Sequence, residues 1–396
     1  MGPKLQRRIP LKPWAVAWLI IATFTTLLMI RYPGNFDPHA ALSGGGLPAD
    51  FSVYLNAWKR VSSGQSPYIP SEGSPYKYSP GVLALMKLLP ANPGYAWFVY
   101  GALSVFSLAF ALLIGSRYRS WREVLALLLG LALSWKGILE TLDYGQLELL
   151  ILGMAMGAAA ALPRWPSMAG ILLGTIPWFK LPWGFLVLPF FLYSLTQVSP
   201  QERKSHLSQL FSGCLLASFI WGAAVPSLLF GPERAMELSK AWLAVLHAQP
   251  PNLYFSDINQ SLWISANRWL GVESGSVSIL ALGLAGTAAG LMMGRLICRP
   301  REPGEDIAKW AAPWFLLTQL LNPLSWRWGS VFAIGMPFAD QRRKGPLRWV
   351  LLAILAVFWL GQQNPVLKLF GLNHWSVLHH YGWITGYWIS LLALGL

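Results

Sequence analysis

Charge is what this chain has least of. Only 12% of its 396 residues are Asp, Glu, Lys or Arg, about half the share of a soluble globular domain. So little polar surface cannot cover a protein of this length in water. A soluble domain on a single anchor is excluded too, because apolar runs recur from end to end. Acid is scarcer than base: 16 Asp and Glu stand against 30 Lys and Arg, a net charge of +14. That excess does not mark a nucleic-acid binder. It sits in short loops between apolar runs, as the positive-inside rule requires, and anionic lipid head groups are its nearer partner. Cysteine is almost missing. Cys214 and Cys298 lie within or at the end of apolar runs, and such a pair makes neither a disulfide framework nor a metal motif. The sequence has no phosphate loop, dinucleotide fingerprint, zinc-protease helix or nucleophile elbow. No His or Cys cluster has metal spacing, and the adjacent His379-His380 would not turn both rings to one ion on a helix. No cofactor is expected. Acids are also nearly absent from the centres of the apolar runs, where a proton-coupled transporter usually needs some.

Apolar length is what the chain does have. Hydrophobic residues make up 55% of it, with a mean hydropathy of +0.45. Apolar runs fall at 14–30, 94–114, 122–140, 146–162, 167–179, 181–196, 207–230, 275–297, 308–321, 329–339, 349–361 and 383–396. They predict one all-α polytopic membrane domain over 1–396, with about twelve transmembrane helices. The shortest runs contain Pro or Gly and read as broken helices buried within the bundle. Most of the 22 Trp read as interfacial anchors. The basic start, Met1 to Lys12, leads into the run 14–30 with no small-residue cleavage site after it, so this segment reads as a retained first helix.

Placing the N-terminus inside makes 1–13, 115–123, 163–166, 197–206, 295–309 and 340–348 inside segments, and they hold more than half of the 30 Lys and Arg. The rule is obeyed at every turn, which puts both termini in the cytoplasm. Two outside loops are long, 31–93 and 231–274. In the first, Asp50–Ser63 reads as an amphipathic helix with Phe51, Tyr54, Leu55, Trp58 and Val61 at helical spacing, closed by Gly64. Gly81–Leu89 is apolar but too short to span, and is expected to re-enter or lie on the membrane. Glu233–His247 is a second amphipathic stretch, expected at the outer interface.

A polar residue in a span or at its mouth is expensive to keep and marks a site by default. On the outer face these are Asp50, Tyr54, Tyr76, Lys77, Tyr78, Glu140, Asp143, Gln146, Glu148, Lys180, Asp257, Asn259, Gln260, Arg327, His374, His379 and His380. Asp50 has two readings: a helix cap, or a general base taking the proton of a hydroxyl nucleophile. Lys180 is either a snorkelling interfacial Lys or a cation for an anionic head group. Arg327, between Trp326 and Trp328, has the same two readings, and its fork suits a phosphate. Asn259-Gln260-Ser261 opens a helix at Leu262, and simple capping explains it as well as ligand contact does. An acid, two cations, amides and aromatics together suit a sugar and a phosphate at a lipid surface. A transporter or lipid flippase without transferase activity is the alternative, but the internal repeats and midplane polar sites it needs are not found. A noncatalytic scaffold is a third reading.

Taken in order, several segments resemble a known family. They are Asp50-Phe51-Ser52-Val53-Tyr54, Gly64-Gln65-Ser66-Pro67-Tyr68 and Tyr76-Lys77-Tyr78-Ser79-Pro80, then Gly145-Gln146, Lys180-Leu181-Pro182, Asn259-Gln260-Ser261-Leu262 and Asn322-Pro323-Leu324-Ser325-Trp326. The chain resembles the glycosyltransferases of family 87, the polyprenol-phosphate-mannose-dependent alpha-(1→2) mannosyltransferase type of the GT-C membrane superfamily. The resemblance implies a catalytic base at Asp50, a polyprenyl-phosphate-sugar donor, a lipid or glycan acceptor, and inverting transfer on the outer face of a bacterial plasma membrane. Substrate contacts are then expected from Tyr54, Tyr78, Gln146, Lys180, Asn259, Gln260, Arg327 and His379. There are two departures. Arg327-Trp328-Gly329 follow Ser325-Trp326 where the family usually has His, so that role is lost, moved to His379 or His380, or taken by Arg327. Glu148 stands where the family often has Asn.

Overall fold

The computed structural model describes residue 23 and residues 49–69, 75–115, 131, 134–135, 137–248, 259–272, 278–298, 307–322, 331–332, 346–360, 385–386 and 388–389. Every regular element among the described residues is helical, as the apolar periodicity requires. In chain order they are α1 (Ala49–Ser62), α2 (Pro80–Met86), α3 (Pro93–Gly115), α4 (Glu148–Ala161), α5 (Pro166–Phe179) and, after a 3₁₀ turn Leu181–Leu186, α6 (Val187–Thr196). Then come α7 (Pro200–Phe230) and α8 (Pro232–His247), α9 (Leu262–Trp269), α10 (Ile279–Cys298), α11 (Ile307–Leu321) and α12 (Pro346–Leu360).

Among the described residues, three helices are long and apolar enough to cross a membrane: Pro93–Leu112 within α3, all of α7, and α10. Their outer faces carry bulky exposed apolar groups, among them Leu103 and Phe106, Phe211, Leu215 and Phe219, and Leu280, Leu284 and Leu291. Such an apolar surface is at home in lipid and not in water. The shorter apolar helices include Glu148–Ala161, Leu181–Thr196 and Ala311–Leu321. The expected runs 14–30, 122–140, 329–339 and 383–396 lie wholly or mostly outside the described residues.

Close backbone approaches set the relative directions of the helices. Gly153 of α4 faces Ser107 of α3, and Gly157 faces Phe110, so α3 and α4 run parallel. Gly170 of α5 meets Leu210 and Gly213 of α7, and Gly174 meets Cys214 and Ala217, so these two also run parallel. A Cβ on Gly213 would lie 2.1 Å from the Ser167 carbonyl oxygen, so only glycine permits this approach. Between them α6 returns. His206 then ties three chain segments together at one end: Nδ1 lies 3.0 Å from Ser194 Oγ and Nε2 3.0 Å from the Leu162 carbonyl oxygen. At the other end Lys180 reaches Gln146. The basic loops 163–166 and 197–206 therefore share one end of the bundle and the Lys180 turn occupies the opposite end, the separation that the charge pattern predicts.

Two segments are held by contacts with distant parts of the chain. The apolar piece after Ser79 is the short helix α2, with Gly81, Val82, Leu83 and Ala84 buried inside the protein. A Cβ on Gly81 would come within 2.5 Å of the Trp221 carbonyl oxygen, so α2 presses against the π-helical turn Ile220–Ala224 of α7. The amphipathic helix α8 buries Ala235, Leu238, Trp242 and Val245. Its polar groups hold the first loop: Arg234 donates to the Gly64 carbonyl at 3.0 Å and Trp242 Nε1 to the Lys77 carbonyl at 2.8 Å. Helix α8 thus covers the loop and leaves Met236 and Leu243 exposed.

Candidate active site

The polar end of the bundle is built around α1. Its apolar face, Phe51, Tyr54 and Ala57, is fully buried, and Gly64 ends it at φ +79°. Asp50 lies inside the first helical turn. Among the described residues no hydrogen bond to its carboxylate is seen, so capping does not occupy it. The turn before α4 presses onto this first turn of α1. Gly145 there has φ +71°, and a Cβ would lie 2.9 Å from Phe51 Cβ, so both backbone conformation and space demand glycine. The Tyr100 hydroxyl of α3 fixes the turn, 2.9 Å from the Gly145 carbonyl oxygen and 2.8 Å from that of Gln146. Gln146, and Glu148 as the first residue of α4, are thereby delivered next to Asp50.

Lys180 comes from a different part of the bundle. It is a single extended residue, φ −156°, between the end of α5 and the 3₁₀ turn. This break turns its side chain back to the Gly145 turn, where the ammonium donates to Gln146 Oε1 at 2.7 Å and to Glu148 Oε1 at 2.5 Å. The pair is well withdrawn from solvent, with side-chain exposures of 17% for Lys180 and 2% for Glu148. Trp183 Nε1 approaches the same Glu148 oxygen at 3.5 Å, and Phe332 packs on the Trp183 ring at 4.2 Å between centroids.

The electrostatics follow from burial. Desolvation holds the Asp50 carboxyl above its ordinary pKa; the Lys180 charge pulls it down, Glu148 pushes it up and Lys77 pulls it down again. Desolvation also holds the Lys77 ammonium below its ordinary value, partly opposed by Asp50. A carboxylate with a raised pKa is a better proton acceptor near neutral pH than an exposed one. Among the described residues, Asp50 and Glu148 thus share one layer with Lys77 and Lys180.

Beneath this layer lies an aromatic wall. Tyr54 donates to the Tyr78 hydroxyl at 2.8 Å, and Tyr68 donates to the Tyr78 carbonyl at 2.8 Å. The Tyr54 and Tyr78 rings meet edge-on at 4.9 Å, a favoured quadrupole arrangement. Burial holds the phenols of Tyr54 and Tyr78 far above their ordinary values, so both remain neutral donors.

The structure thus gathers Asp50, Tyr54, Tyr78, Gln146 and Lys180 from the predicted set. Asn259 and Gln260 are fully buried, and their described bonds are structural. Asn259 Oδ1 accepts from the Ser261 amide at 3.0 Å, the Asn259 carbonyl accepts from Arg268, and the Gln260 carbonyl accepts from Thr385 at 2.7 Å. Arg327 and His379 lie outside the described residues. Glu148 and Lys77 stand in the sequence among the polar residues expected at the outer face, and the geometry adds them to the site. The signal for Glu148 was an acid opening an apolar run. Tyr100 and Trp183 were hidden within apolar runs, and only packing reveals them.

These features define an all-helical membrane protein with a buried acid and base layer at the end opposite its basic loops. A family model described as glycosyltransferase family 87 matches residues 76–318. That match covers more than half of the chain, and the chain belongs to glycosyltransferase family 87. Asp50 lies before the matched segment, whereas Gln146, Glu148, Lys180, Asn259 and Gln260 lie within it. No curated protein and no solved structure matches the chain.

Proposed function

We propose that this glycosyltransferase moves a hexose, with mannose the first candidate, from a polyprenyl-phosphate donor to a lipid-linked or glycan acceptor on the extracytoplasmic face. The reaction is an inverting single displacement. Asp50 takes the proton of the acceptor hydroxyl as that oxygen attacks the anomeric carbon. The bond from that carbon to the phosphate oxygen breaks, and polyprenyl phosphate leaves with the electron pair. The observation that carries this reading is the Asp50 carboxylate, buried enough to be a stronger base and not committed to a cap.

The cations divide the work. Lys180 is committed to Gln146 and Glu148 before substrate arrives, so it orders the site and contributes to phosphate binding through its field. Lys77, half-buried in the same layer, is the cation better placed to meet the phosphate as charge develops on it. The sequence assigns the same role to Arg327. Tyr78 and Gln146 supply sugar contacts, Tyr54 positions Tyr78, and Asn259, Gln260 and His379 complete the proposed substrate set.

The test is transfer of labelled mannose from polyprenyl-phosphate-mannose to membrane acceptors by wild type and by Asp50→Asn, with size exclusion in detergent to verify folding. General-base removal is expected to cost about 10²- to 10⁴-fold. Equal transfer by the folded variant would remove Asp50 from the mechanism. Failure of wild type with mannose, glucose and galactose donors alike would remove the donor class.

A further inference from the structure

The two oxygens of Glu148 differ sharply. Oε1 accepts from Lys180 at 2.5 Å and lies 3.5 Å from Trp183 Nε1. Oε2 is fully buried and has no hydrogen-bond partner in the structure. The whole residue is 1% exposed. Its position is firmly set, since it opens α4 directly after the turn pinned by Tyr100 and Gly145. The Glu148 charge is felt by both Asp50 and Tyr78, so it lies in the same electrostatic neighbourhood as the proposed base.

A buried polar atom without a partner costs roughly 1–3 kcal/mol, more if charged. Native proteins leave few of them, and each calls for a reason. The Lys180 ion pair accounts for one oxygen of the carboxylate and leaves the other without a partner. A cationic ligand would be a poor fit for the other, because the Lys180 ammonium already lies 2.5 Å from Oε1 and would repel a second cation. The complement is a neutral donor, and a ring hydroxyl is the neutral donor that a sugar presents. Asp50 is assigned to the acceptor hydroxyl, so this second carboxylate is left for the sugar being transferred.

We propose that Glu148 Oε2 accepts a hydrogen bond from a ring hydroxyl of the transferred sugar, making Glu148 a specificity-determining residue. The inference rests on the glycosyl-transfer reading above. A site that buries a charged acceptor rejects an analogue lacking the matching hydroxyl strongly, by upwards of about 10²-fold, because the acceptor is then left unpaired.

The experiment uses full-length protein in nanodiscs and a series of polyprenyl-phosphate hexoses, each lacking one ring hydroxyl. Wild type should lose at least about 10²-fold in kcat/KM with one member of the series. In Glu148→Gln, which presents an amide nitrogen or a weaker oxygen at that position, that member should be used within about threefold of the parent sugar. Should Glu148→Gln fail to fold, Glu148→Gln with Lys180→Gln removes both charges together and is scored the same way. A wild-type profile with no sensitive hydroxyl overturns the inference. So does a sensitive hydroxyl that persists in the folded variants, which would leave Glu148 as a holder of Lys180 only. Absence of transfer from every parent donor has a different signature: it overturns the donor class, and the inference falls with it.

Discussion

The His206 cluster at the basic end of the α4 to α7 bundle and the Glu148 layer at the opposite end treat their polar groups in opposite ways. At the basic end, both ring nitrogens of His206 have partners, Ser194 and the Leu162 carbonyl, and Ser194 also donates to the Phe190 carbonyl at 2.9 Å. The network holds three segments together, and every group described in it is occupied. At the opposite end, Glu148 keeps one oxygen without a partner, and no described group holds the Asp50 carboxylate. Buried polar groups that are satisfied define a structure. Groups left unsatisfied in the same fold hold free energy that a ligand can recover on binding, and here they lie in the layer that carries Lys77 and Lys180.

Three measurements would break or sharpen that contrast. The largest effect is expected from Lys180→Met, which strands Glu148 as a buried charge. Breaking a buried pair in this way costs about 3–5 kcal/mol, read as a large drop in thermal midpoint in detergent. The same change removes the charge that pulls the Asp50 pKa down most strongly. The acid limb of kcat/KM should therefore move to higher pH, and a limb that stays in place would separate Lys180 from Asp50.

A smaller loss is expected at the basic end. His206→Ala removes both bonds and should cost about 1–3 kcal/mol, while turnover per folded molecule stays within about twofold, since the residue is a bundle length from Asp50. A large fall in turnover at unchanged folding would mean that the two ends are not separate in function.

The smallest effect concerns Asp50 itself and has the opposite sign. Its folded pKa is raised, so its contribution to stability is present at low pH and is lost as pH rises through the folded value. Asp50→Asn removes the ionisation that causes this loss. The variant should melt above wild type near pH 7 and level with it near pH 3, below the ordinary carboxylate pKa of about 3.9. A variant that melts lower at neutral pH would show that Asp50 has a structural partner.

Much of the scaffold was legible in the sequence because lipid imposes a simple rule. Runs such as 94–114 and 308–321 appear as α3 and α11 with ends shifted by a residue or so, since burial and hydropathy agree there. The run at 207–230 began late by comparison with α7, which starts at Pro200. Gln201 to His206 are polar but contain no helix breaker, and Pro200 suits the first helical position, so the helix extends beyond its apolar part. Amphipathic spacing identified α1 and α8, but it could not tell a membrane surface from the first loop as the partner of α8. Bonds such as Trp242 to Lys77 depend on residues far apart in sequence.

What the sequence by itself determined is the class: scarce charge, recurring apolar runs and one-sided basic loops leave a helical membrane protein as the remaining solution, because unpaired backbone groups are intolerable in lipid. It also placed Asp50, Gln146 and Lys180 at the same end. Only the tertiary structure decided how they are arranged. Gly145 lets α1 and the start of α4 approach to contact distance, the break at Lys180 aims its ammonium at Gln146 and Glu148, and Trp183 closes over the pair. Those are long-range encounters, and no local propensity encodes them. The free oxygen of Glu148 exists for the same reason: which of its two acceptors finds a partner is fixed by packing between helices far apart in the chain.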